Sequence, residues 1–177
     1  PAATITTLPG MDDDDAARFV SVHITAPIDM ILINIYAPNG NPVGTEKYTY
    51  KLRWLNALYE HLAALRRAGG NVAVMGDFNI IPDDGDAARI EDWRGDALAQ
   101  PEVRAIYRAM VYLGFTDALK TKAVHAGNNG SGDLYTFWDY QAGAWQRNNG
   151  IRIDHVLLSP LLADRLVSVH VDRTPDR

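Results

Sequence analysis

Two polar side chains follow an apolar run in the middle of the chain. Residues 72–75 are apolar, Gly76 comes next, and Asp77 and Asn79 stand two positions apart. In an extended chain, residues i and i+2 point to the same side, so the carboxylate and the amide can converge on one spot. Such a pair suits a hard cation, or a water molecule that must be oriented and deprotonated before it attacks phosphorus. A Gly-Asp-x-Asn segment is more often a simple turn after a strand, so the pair alone leaves both interpretations open.

Three further aspartates, Asp83, Asp84 and Asp86, follow closely and could suggest a calcium-binding loop. In the register that begins at Asp77, however, a position that needs an oxygen ligand is occupied by Ile81. We therefore expect these three aspartates to lie in solvent.

A tyrosine ends a second apolar run. Residues 30–36 predict a buried strand, and its last residue, Tyr36, could present its hydroxyl group to a phosphate, although packing of the ring is the commoner role. Lys47, Lys51 and Arg53 follow soon after. They could contact phosphates, but in isolation the solvated face of a helix is the simpler interpretation.

The richest aromatic segment covers residues 135–145 and is followed by Arg147 and Asn148. Aromatic rings beside arginine, asparagine and glutamine, in a segment with turn-forming residues, could fill the gap left by a missing base in DNA. Packing in the core is the alternative for Trp138.

Asp154 lies within the apolar segment of residues 151–159. A carboxylate is costly there unless it is paired or hydrogen-bonded, so we expect it to have a functional partner. His155 points to the opposite face of the strand and cannot be that partner through simple adjacency.

The elements that must position these residues follow from the periodicity of apolar positions. A period of three to four residues predicts a long amphipathic helix that begins at Thr45 and stops at Gly69-Gly70, and a second helix from Pro101 to Gly114. Residues 18–25 and 30–36 predict a hairpin. Further strands are predicted at residues 1–7, 71–75, 134–138, 151–159 and 167–171. Without a regular βαβ alternation, this mixture favours a layered α/β sandwich over a doubly wound sheet.

Composition limits the class of protein. A chain of 177 residues that is 47% hydrophobic is long enough for one domain with a real core. It has no run of eighteen apolar residues and no leader, so we expect a soluble cytoplasmic protein with no membrane partner. The absence of cysteine excludes disulfides and thiolate zinc sites. A net charge of −5 argues mildly against nucleic acid, although a bound cation and a few basic groups can grip phosphates in an acidic protein.

Taken together and in this order, these stretches resemble the exonuclease III family of the endonuclease/exonuclease/phosphatase fold, to which deoxyribonuclease I is more distantly related. The resemblance covers nearly the whole chain. Gly-Asp-x-Asn also occurs in phosphatases and sphingomyelinases of the wider fold, so the most specific part is residues 136–154. There, Phe-Trp-Asp-Tyr and Gly-Ile-Arg-Ile-Asp are similar to the DNA-repair branch. The resemblance implies two mostly antiparallel sheets packed as a sandwich, with helices outside.

The resemblance also implies a role for each candidate residue. Tyr36 would hydrogen-bond the scissile phosphate, and Asp77 would activate the attacking water. Asn79 would orient that water or the phosphate, and Asp154 would orient a catalytic histidine. Mg²⁺, or Mn²⁺ in its place, would be held by Asp77 and Asn79 and would neutralise charge on the phosphate and the leaving oxygen. The residues implied to contact DNA are Asn39, Lys47, Lys51, Phe137, Trp138, Trp145, Arg147 and Asn148.

The implied substrate is duplex DNA, cleaved 5′ to abasic sites and shortened from its 3′ ends. Family members also carry an amino-terminal glutamate, their principal metal ligand, and a terminal Ser-Asp-His segment, and neither has a match here. Residues 1–177 are therefore expected to form a partial domain, mainly the second half, with an apolar sheet face that a missing segment or another copy of the chain covers. A phosphomonoesterase or phospholipase of the same fold, and a non-catalytic DNA-binding or assembly module, are the alternatives.

Overall fold

The computed structural model describes residues 4–125, 134–139 and 143–172 of the chain. The strands in these residues are β1 (Thr4–Ile5), β2 (Phe19–Ile24), β3 (Met30–Tyr36), β4 (Val72–Asp77), β5 (Thr116–Asp117), β6 (Phe137–Trp138), β7 (Gly150–Ile151) and β8 (Asp154–Leu158). The helices are α1 (Glu46–Arg67), α2 (Pro101–Tyr112), α3 (Ala118–His125) and α4 (Pro160–Ala163), with short 3-10 turns at Asp84–Asp86 and Ile90–Trp93.

Six of the strands form one sheet in the order β1-β2-β3-β4-β8-β5, and β6 pairs with β7 in a separate small sheet. Strands β3 and β4 run parallel and are joined through α1, whereas the other neighbours in the large sheet are antiparallel. The predicted hairpin is present, with Phe19 opposite Ile35 in β2 and β3. The predicted class, an α/β fold of mostly antiparallel strands flanked by helices, is confirmed.

Helices α1 and α2 cover one face of the large sheet. Apolar residues recur every three or four positions along α1, and Trp54, Leu58 and Leu62 are fully buried. Ile33 of β3 and Val74 of β4 point to this side and belong to the same core cluster. Burying one such side chain contributes about 1.5 to 3 kcal/mol, so this core fixes β3 and β4 in place. In the described part of the chain, no helix combines the length and the apolar character needed to cross a membrane.

The opposite face of the sheet is apolar but only half-buried. Val22, Leu32 and Met75, on neighbouring strands, share this face and are partly exposed. Leu162 of α4 packs beside Ala73 at the β8 side and covers part of it. The two faces of the sheet therefore differ: one carries the core of the described residues, and the other keeps apolar surface in contact with solvent.

Several predicted strand boundaries are wrong. Residues 167–171 form no strand, and Val167 is 88% exposed. The predicted strand of residues 151–159 is interrupted after β7, where the N–H of Arg152 donates to the carbonyl of Asp86 and the N–H of Ile153 donates to the Thr136 hydroxyl instead of to a neighbouring strand. Of residues 134–138, only the last two form a strand. The first predicted strand is reduced to β1, and residues 1–3 lie outside the described residues.

Gly76 leaves no room for a side chain where β4 packs against β3. Its backbone is in the left-handed half of conformational space, with φ of +126°. A Cβ atom at this position would overlap the carbonyl oxygen of Ile35 and lie 2.9 Å from Oδ1 of Asn34. A side chain therefore does not fit at the residue before Asp77. The positive φ of Gly76 is also a backbone conformation that glycine adopts readily and other residues rarely do.

We predict that Gly76→Ala lowers the free energy of unfolding by about 3 kcal/mol or more, because left-handed strain and backbone overlap add together. Gly69→Ala is the matched control: Gly69 also has a positive φ, of +77°, but a Cβ there meets no atom within 4 Å. Gly69→Ala should lower the free energy of unfolding by about 1 to 2 kcal/mol, because only the cost of the left-handed backbone applies there. Urea unfolding of both variants measures the difference, and equal losses would contradict the close approach at Gly76.

Candidate active site

Three candidate residues lie side by side at one edge of the large sheet. Tyr36 is the register partner of Asp77 in the parallel pair β3 and β4, and Asp77 is the register partner of Asp154 in the antiparallel pair β4 and β8. Neighbouring strands are about 4.8 Å apart, so the phenol and the two carboxylates form one row. The row lies on the half-buried face of the sheet, away from α1 and α2.

Asp77 and Asn79 are held together by a turn. Asn79 has a positive φ of 50°, outside the extended geometry from which its position was predicted. Its backbone N–H donates to Oδ1 of Asp77 at 2.7 Å, and its Nδ2 donates to Oδ2 of Asp77 at 3.2 Å and to the carbonyl of Ala37 at 2.8 Å. The turn after β4 is therefore what brings the side chains of Asp77 and Asn79 together. Asn79 is buried and orients the Asp77 carboxylate.

The environment of Asp77 makes its carboxylate a base near neutrality. Burial raises the pKa of Asp77 from 3.8 to about 6, and the neighbouring Asp154 carboxylate adds to the increase. The N–H of Asn79 and the ammonium group of Lys51 oppose it. A carboxylate with such a pKa is ionised at pH 7 yet can accept a proton, which is the property a general base requires.

The row also offers oxygen donors to a hard cation. Asp77 and Asp154 place two carboxylates of like charge on adjacent strands, and the amide of Asn79 is next to them. Mg²⁺ is commonly held by one or two carboxylates, with waters and phosphates completing its octahedron. Within the described residues, no group of three or more His, Asp or Glu side chains could hold a metal ion. The residues present therefore fit part of a magnesium site.

Tyr36 presents its phenol to solvent at the end of β3. The side chain is 53% exposed, so the alternative in which the ring packs in the core does not hold. The guanidinium group of Arg18 lies over the ring, 5.2 Å from its centroid, and Nη1 of Arg18 donates to the Tyr36 carbonyl at 3.3 Å. Arg18 supports the tyrosine from the adjacent strand. Sequence reasoning missed Arg18, and its place as the first residue of the predicted strand of residues 18–25 was the available signal.

The lysines of α1 divide into an exposed and a buried one. Lys47 is exposed, and its contact with DNA stays a prediction. Lys51 is 0% exposed and donates to the carbonyls of Asn39 at 3.0 Å, Asn79 at 2.6 Å and Ala97 at 3.2 Å. Burial lowers the pKa of Lys51 to about 7, against the pull of nearby carboxylates. The predicted DNA contact is wrong for Lys51, because every donor of its ammonium group is turned inward.

Asn39 lies in the connection between β3 and α1 and is exposed. Its Nδ2 donates to Oδ1 of Asn79 at 3.4 Å, and its Oδ1 accepts from the side chain of Asn41 at 2.9 Å. An exposed amide that touches Asn79 is placed beside the row of Tyr36, Asp77 and Asp154.

The three aspartates after β4 occupy different environments. Asp83 and Asp84 are exposed, as expected, and pair with Lys120 and Arg104 respectively. The expectation is wrong for Asp86, which is buried because a buried guanidinium group neutralises it.

That guanidinium group belongs to Arg152, which is fully buried between β7 and β8. Its Nε and Nη2 bind the two oxygens of Asp86 at 2.9 and 3.2 Å, and its Nη1 lies 2.8 Å from both Asp117 and Nδ1 of His155. Burial lowers the pKa of His155 to about 4, and its Nε2 contacts the carbonyl of Ile80 at 3.0 Å. His155 lies on the face of β8 opposite Asp154, as predicted, and this is the face that the helices cover. The hydrogen bonds of Arg152 and His155 hold the segment after Asn79 in place. Sequence reasoning missed Arg152, although it is a charged residue beside Asp154 in an apolar run.

The aromatic segment forms an open surface near the start of β8. Phe137 and Trp145 are exposed, while Trp138 is half-buried, 4.6 Å from the Trp145 ring, and donates from Nε1 to Asn148 at 3.3 Å. They border a cavity of about 570 Å³. Arg147 is exposed. Residues 140–142, also part of the predicted segment, lie outside the described residues.

The hydroxyl group of Thr136 connects this surface to the row. It accepts hydrogen bonds from the backbone N–H groups of Ile153, at 3.1 Å, and Asp154, at 3.0 Å. The aromatic surface therefore adjoins the row at Asp154.

Residues 2–176 match the model of the Endonuclease/Exonuclease/phosphatase family. The chain belongs to this family. Exodeoxyribonuclease III of Haemophilus influenzae is 30% identical over 169 residues, which cover 90% of this chain and 61% of that protein. An AP endonuclease from Archaeoglobus fulgidus has a TM-score of 0.85 and 31% identity, over 99% of this chain and 65% of its own. A 3′ phosphatase from Neisseria, solved with a product DNA hairpin, has a TM-score of 0.80 and 32% identity, over 91% and 59%.

These relatives confirm the resemblance to the exonuclease III branch of the family. The chain spans about 60% of the length of the relatives it matches. The half-buried sheet face and the row of Tyr36, Asp77 and Asp154 lie within this family fold.

The raised pKa of Asp77 predicts a pH-dependent stability difference. Because the carboxyl has a higher pKa in the folded protein, wild type loses stability as the pH rises from about 4 to about 6, and Asp77→Asn does not. A shift of about two pKa units is worth at most about 3 kcal/mol. The difference in unfolding temperature, Asp77→Asn minus wild type, is measured in EDTA. It should be several degrees larger at pH 7.5 than at pH 4.5.

The matched control is Asp84→Asn. Arg104 lowers the pKa of the exposed Asp84 carboxyl below 3.8, so this group is ionised in both the folded and the unfolded protein from pH 4.5 upwards, and the offset of this variant from wild type should stay constant between pH 4.5 and pH 7.5. Thermal unfolding followed by circular dichroism at both pH values measures the two offsets, and a constant offset for Asp77→Asn as well would show that its carboxyl is not destabilised by burial.

Proposed function

We propose that the protein is a DNA-repair nuclease that hydrolyses phosphodiester bonds 5′ to abasic sites and removes nucleotides from 3′ ends. The observation that carries the proposal is the row of Tyr36, Asp77 and Asp154 at one sheet edge. The adjoining aromatic surface and the names of the relatives, which include an exodeoxyribonuclease III and an AP endonuclease, support it.

In the proposed reaction, water attacks phosphorus in line with the leaving 3′ oxygen. Asp77 takes the proton of that water, the new bond from oxygen to phosphorus forms, and the bond from phosphorus to the 3′ oxygen breaks. Asn79 keeps the carboxylate of Asp77 in position through its two hydrogen bonds, so the base is pre-oriented. Mg²⁺, held in part by Asp77 and Asn79, would neutralise charge on the phosphate and on the leaving oxygen; Mn²⁺ could replace it.

Tyr36 and Asp154 act on either side of this base. The exposed phenol of Tyr36 donates a hydrogen bond to an oxygen of the scissile phosphate, a charge-assisted contact worth about 1.5 to 3 kcal/mol. Asp154 orients a catalytic histidine that a further segment supplies. Both groups flank Asp77 in the row, so the phosphate would lie across the ends of β3, β4 and β8.

The proposed substrate is duplex DNA, and the aromatic surface gives it specificity. Phe137 and Trp145 are exposed rings that can stack in the space of a missing base, with Trp138 behind them. The remaining proposed contacts are the exposed polar side chains Asn39, Lys47, Arg147 and Asn148. A few such groups, together with a cation, suffice to hold phosphates in a chain of net charge −5.

Activity also requires a cover for the half-buried sheet face. We propose that a further segment packs a second sheet on Val22, Leu32 and Met75 and brings the remaining metal ligand. The apolar character of this face and the length of the relatives support the proposal. A second copy of the chain in the same place would appear instead as a dimer in solution.

We predict that the 177-residue chain by itself binds Mg²⁺ weakly and leaves an abasic duplex uncut, and that the full-length protein cuts it in an EDTA-sensitive manner. The reason is that Asp77, Asn79 and Asp154 provide too few oxygen ligands alone. Cleavage of a labelled abasic duplex is measured with and without EDTA, beside a phosphoinositide as the control substrate.

Robust EDTA-sensitive cleavage by the short chain would show that the metal ligands are misplaced. Hydrolysis of the phosphoinositide alone would favour a phospholipase or phosphatase, and DNA binding without turnover by the full-length protein would favour a non-catalytic module.

A further inference from the structure

The ammonium group of Lys51 holds three separate segments together. Asn39 lies between β3 and α1, Asn79 lies in the turn after β4, and Ala97 follows the second 3-10 turn. Their carbonyls accept the three hydrogen bonds of the lysine, at 3.0, 2.6 and 3.2 Å. An ammonium group has three donors, so its capacity is filled entirely by the main chain.

Each of these segments carries side chains that meet at the candidate site. Nδ2 of Asn39 donates to Asn79, and Asn79 donates twice to Asp77. The third segment joins the first, because Asn41 donates to both carboxylate oxygens of Asp96 at 3.0 Å and accepts from the N–H of Ala97 at 2.9 Å. Lys51 is therefore the common point of a network that ends on the Asp77 carboxylate.

The backbone at Gly40 leaves room for the side chain of Lys51. Gly40 has a φ of +88°, and a Cβ at this residue would lie 2.5 Å from Cδ and 3.0 Å from Cβ of Lys51. Gly44, in the same connection, also has a positive φ, of +80°, but a Cβ there meets no atom within 4 Å. The close fit at Gly40 is specific to the path of the lysine side chain.

A packing role alone does not account for this lysine. Burying an ammonium group costs several kcal/mol, and an apolar side chain of similar length would fill the same space at lower cost. What the apolar side chain cannot do is satisfy three carbonyls and fix their directions. The bond to Asn79 is the shortest of the three, and it fixes the carbonyl of the residue at which the chain turns into the left-handed region.

We propose that Lys51 is a positioning residue of the hydrolytic site. Its ammonium group fixes the main chain at Asn39 and Asn79, so that the Asn39 side chain stays on Asn79 and the Asn79 side chain stays on the Asp77 carboxylate. The inference rests on the proposed function for the meaning of the site. Its first test does not depend on cleavage of any substrate, so the two can fail separately.

The first test is hydrogen exchange of backbone amides in Lys51→Met, which keeps the length of the side chain and removes its donors. We expect exchange about tenfold faster, or more, at the amides that bond within the network, while β3 and β4 stay within about twofold of wild type. Lys47→Met, one turn earlier and exposed, should change neither group. The reporting amides are Asn41, Asn79, Ala97 and Leu98.

A pair of glycine variants gives the same test without removing the lysine. Gly40→Ala should displace Lys51 and reproduce the local acceleration, whereas Gly44→Ala, with the same backbone handedness, should not. Unchanged exchange at the reporting amides in both Lys51→Met and Gly40→Ala would overturn the proposal. A uniform acceleration across the sheet and the network would overturn it as well, because Lys51 would then act on global stability alone.

The second test separates positioning from substrate binding in the full-length protein. On an abasic duplex, Lys51→Met should lower kcat about tenfold or more with KM within about threefold, because a misplaced base slows the chemical step. Lys47→Met should raise KM and leave kcat nearly unchanged. The opposite pattern for Lys51→Met would make it a DNA contact. If the wild-type protein cleaves no DNA, the proposed function fails, and the exchange result still decides the role of Lys51.

Discussion

The parallel pairing of β3 with β4 brings the carboxyl ends of two strands to the same edge of the sheet, and the residues of the candidate site lie at those ends. Tyr36 closes β3 and Asp77 closes β4. Strand β8 then runs antiparallel to β4 and begins at Asp154, so its first residue joins the same row. Gly76 permits the close approach on which this alignment depends. The site follows from strand register, and the core beneath α1 and α2 keeps that register fixed.

The carboxyl groups of the interior are paired with a cation, whereas those of the row stand beside each other. Arg152 neutralises Asp86 and Asp117 in the interior, and the pKa values of both carboxyls are lowered. Asp77, by contrast, is buried beside another carboxylate, and its pKa is raised to about 6. The fold stabilises the charged form of Asp86 and Asp117 and destabilises the charged form of Asp77. This contrast is typical of functional sites, where stability is given up for a group that must exchange protons or bind a cation.

Sequence reasoning placed most of the strongly periodic elements, since patterns such as that of α1 reflect one covered face. It also selected Tyr36 and Asp77, which end apolar runs, and Asp154, a carboxylate inside an apolar segment, because polar residues in such places are visible without a structure. The roles of Lys51 and Asp86 were not visible. Both depend on contacts with residues that are distant in sequence, which local patterns do not encode: Lys51 contacts Asn79, 28 positions away, and Asp86 contacts Arg152, 66 positions away.

The predicted geometry of the Asp77 and Asn79 pair was also incomplete. Alternation along a strand places residues i and i+2 on one face, but β4 ends at Asp77 and Asn79 turns into the left-handed region. The two side chains meet because the turn folds back, which is the alternative that the motif left open. The predicted strand of residues 167–171 fails for a different reason: Val167, Val169 and Val171 alternate with polar residues as in a strand, but the segment pairs with no strand among the described residues, and Val167 is almost fully exposed.

We propose Asp77 as the base of the hydrolytic row. Turnover of an abasic duplex by full-length Asp77→Asn, at saturating substrate and Mg²⁺, is the measurement that tests this role. The amide keeps the shape of the side chain but cannot accept the proton of water, so we expect turnover to fall by roughly 10² to 10⁴ or more while DNA binding is largely retained. Turnover within about tenfold of wild type would contradict the account and remove Asp77 from this role.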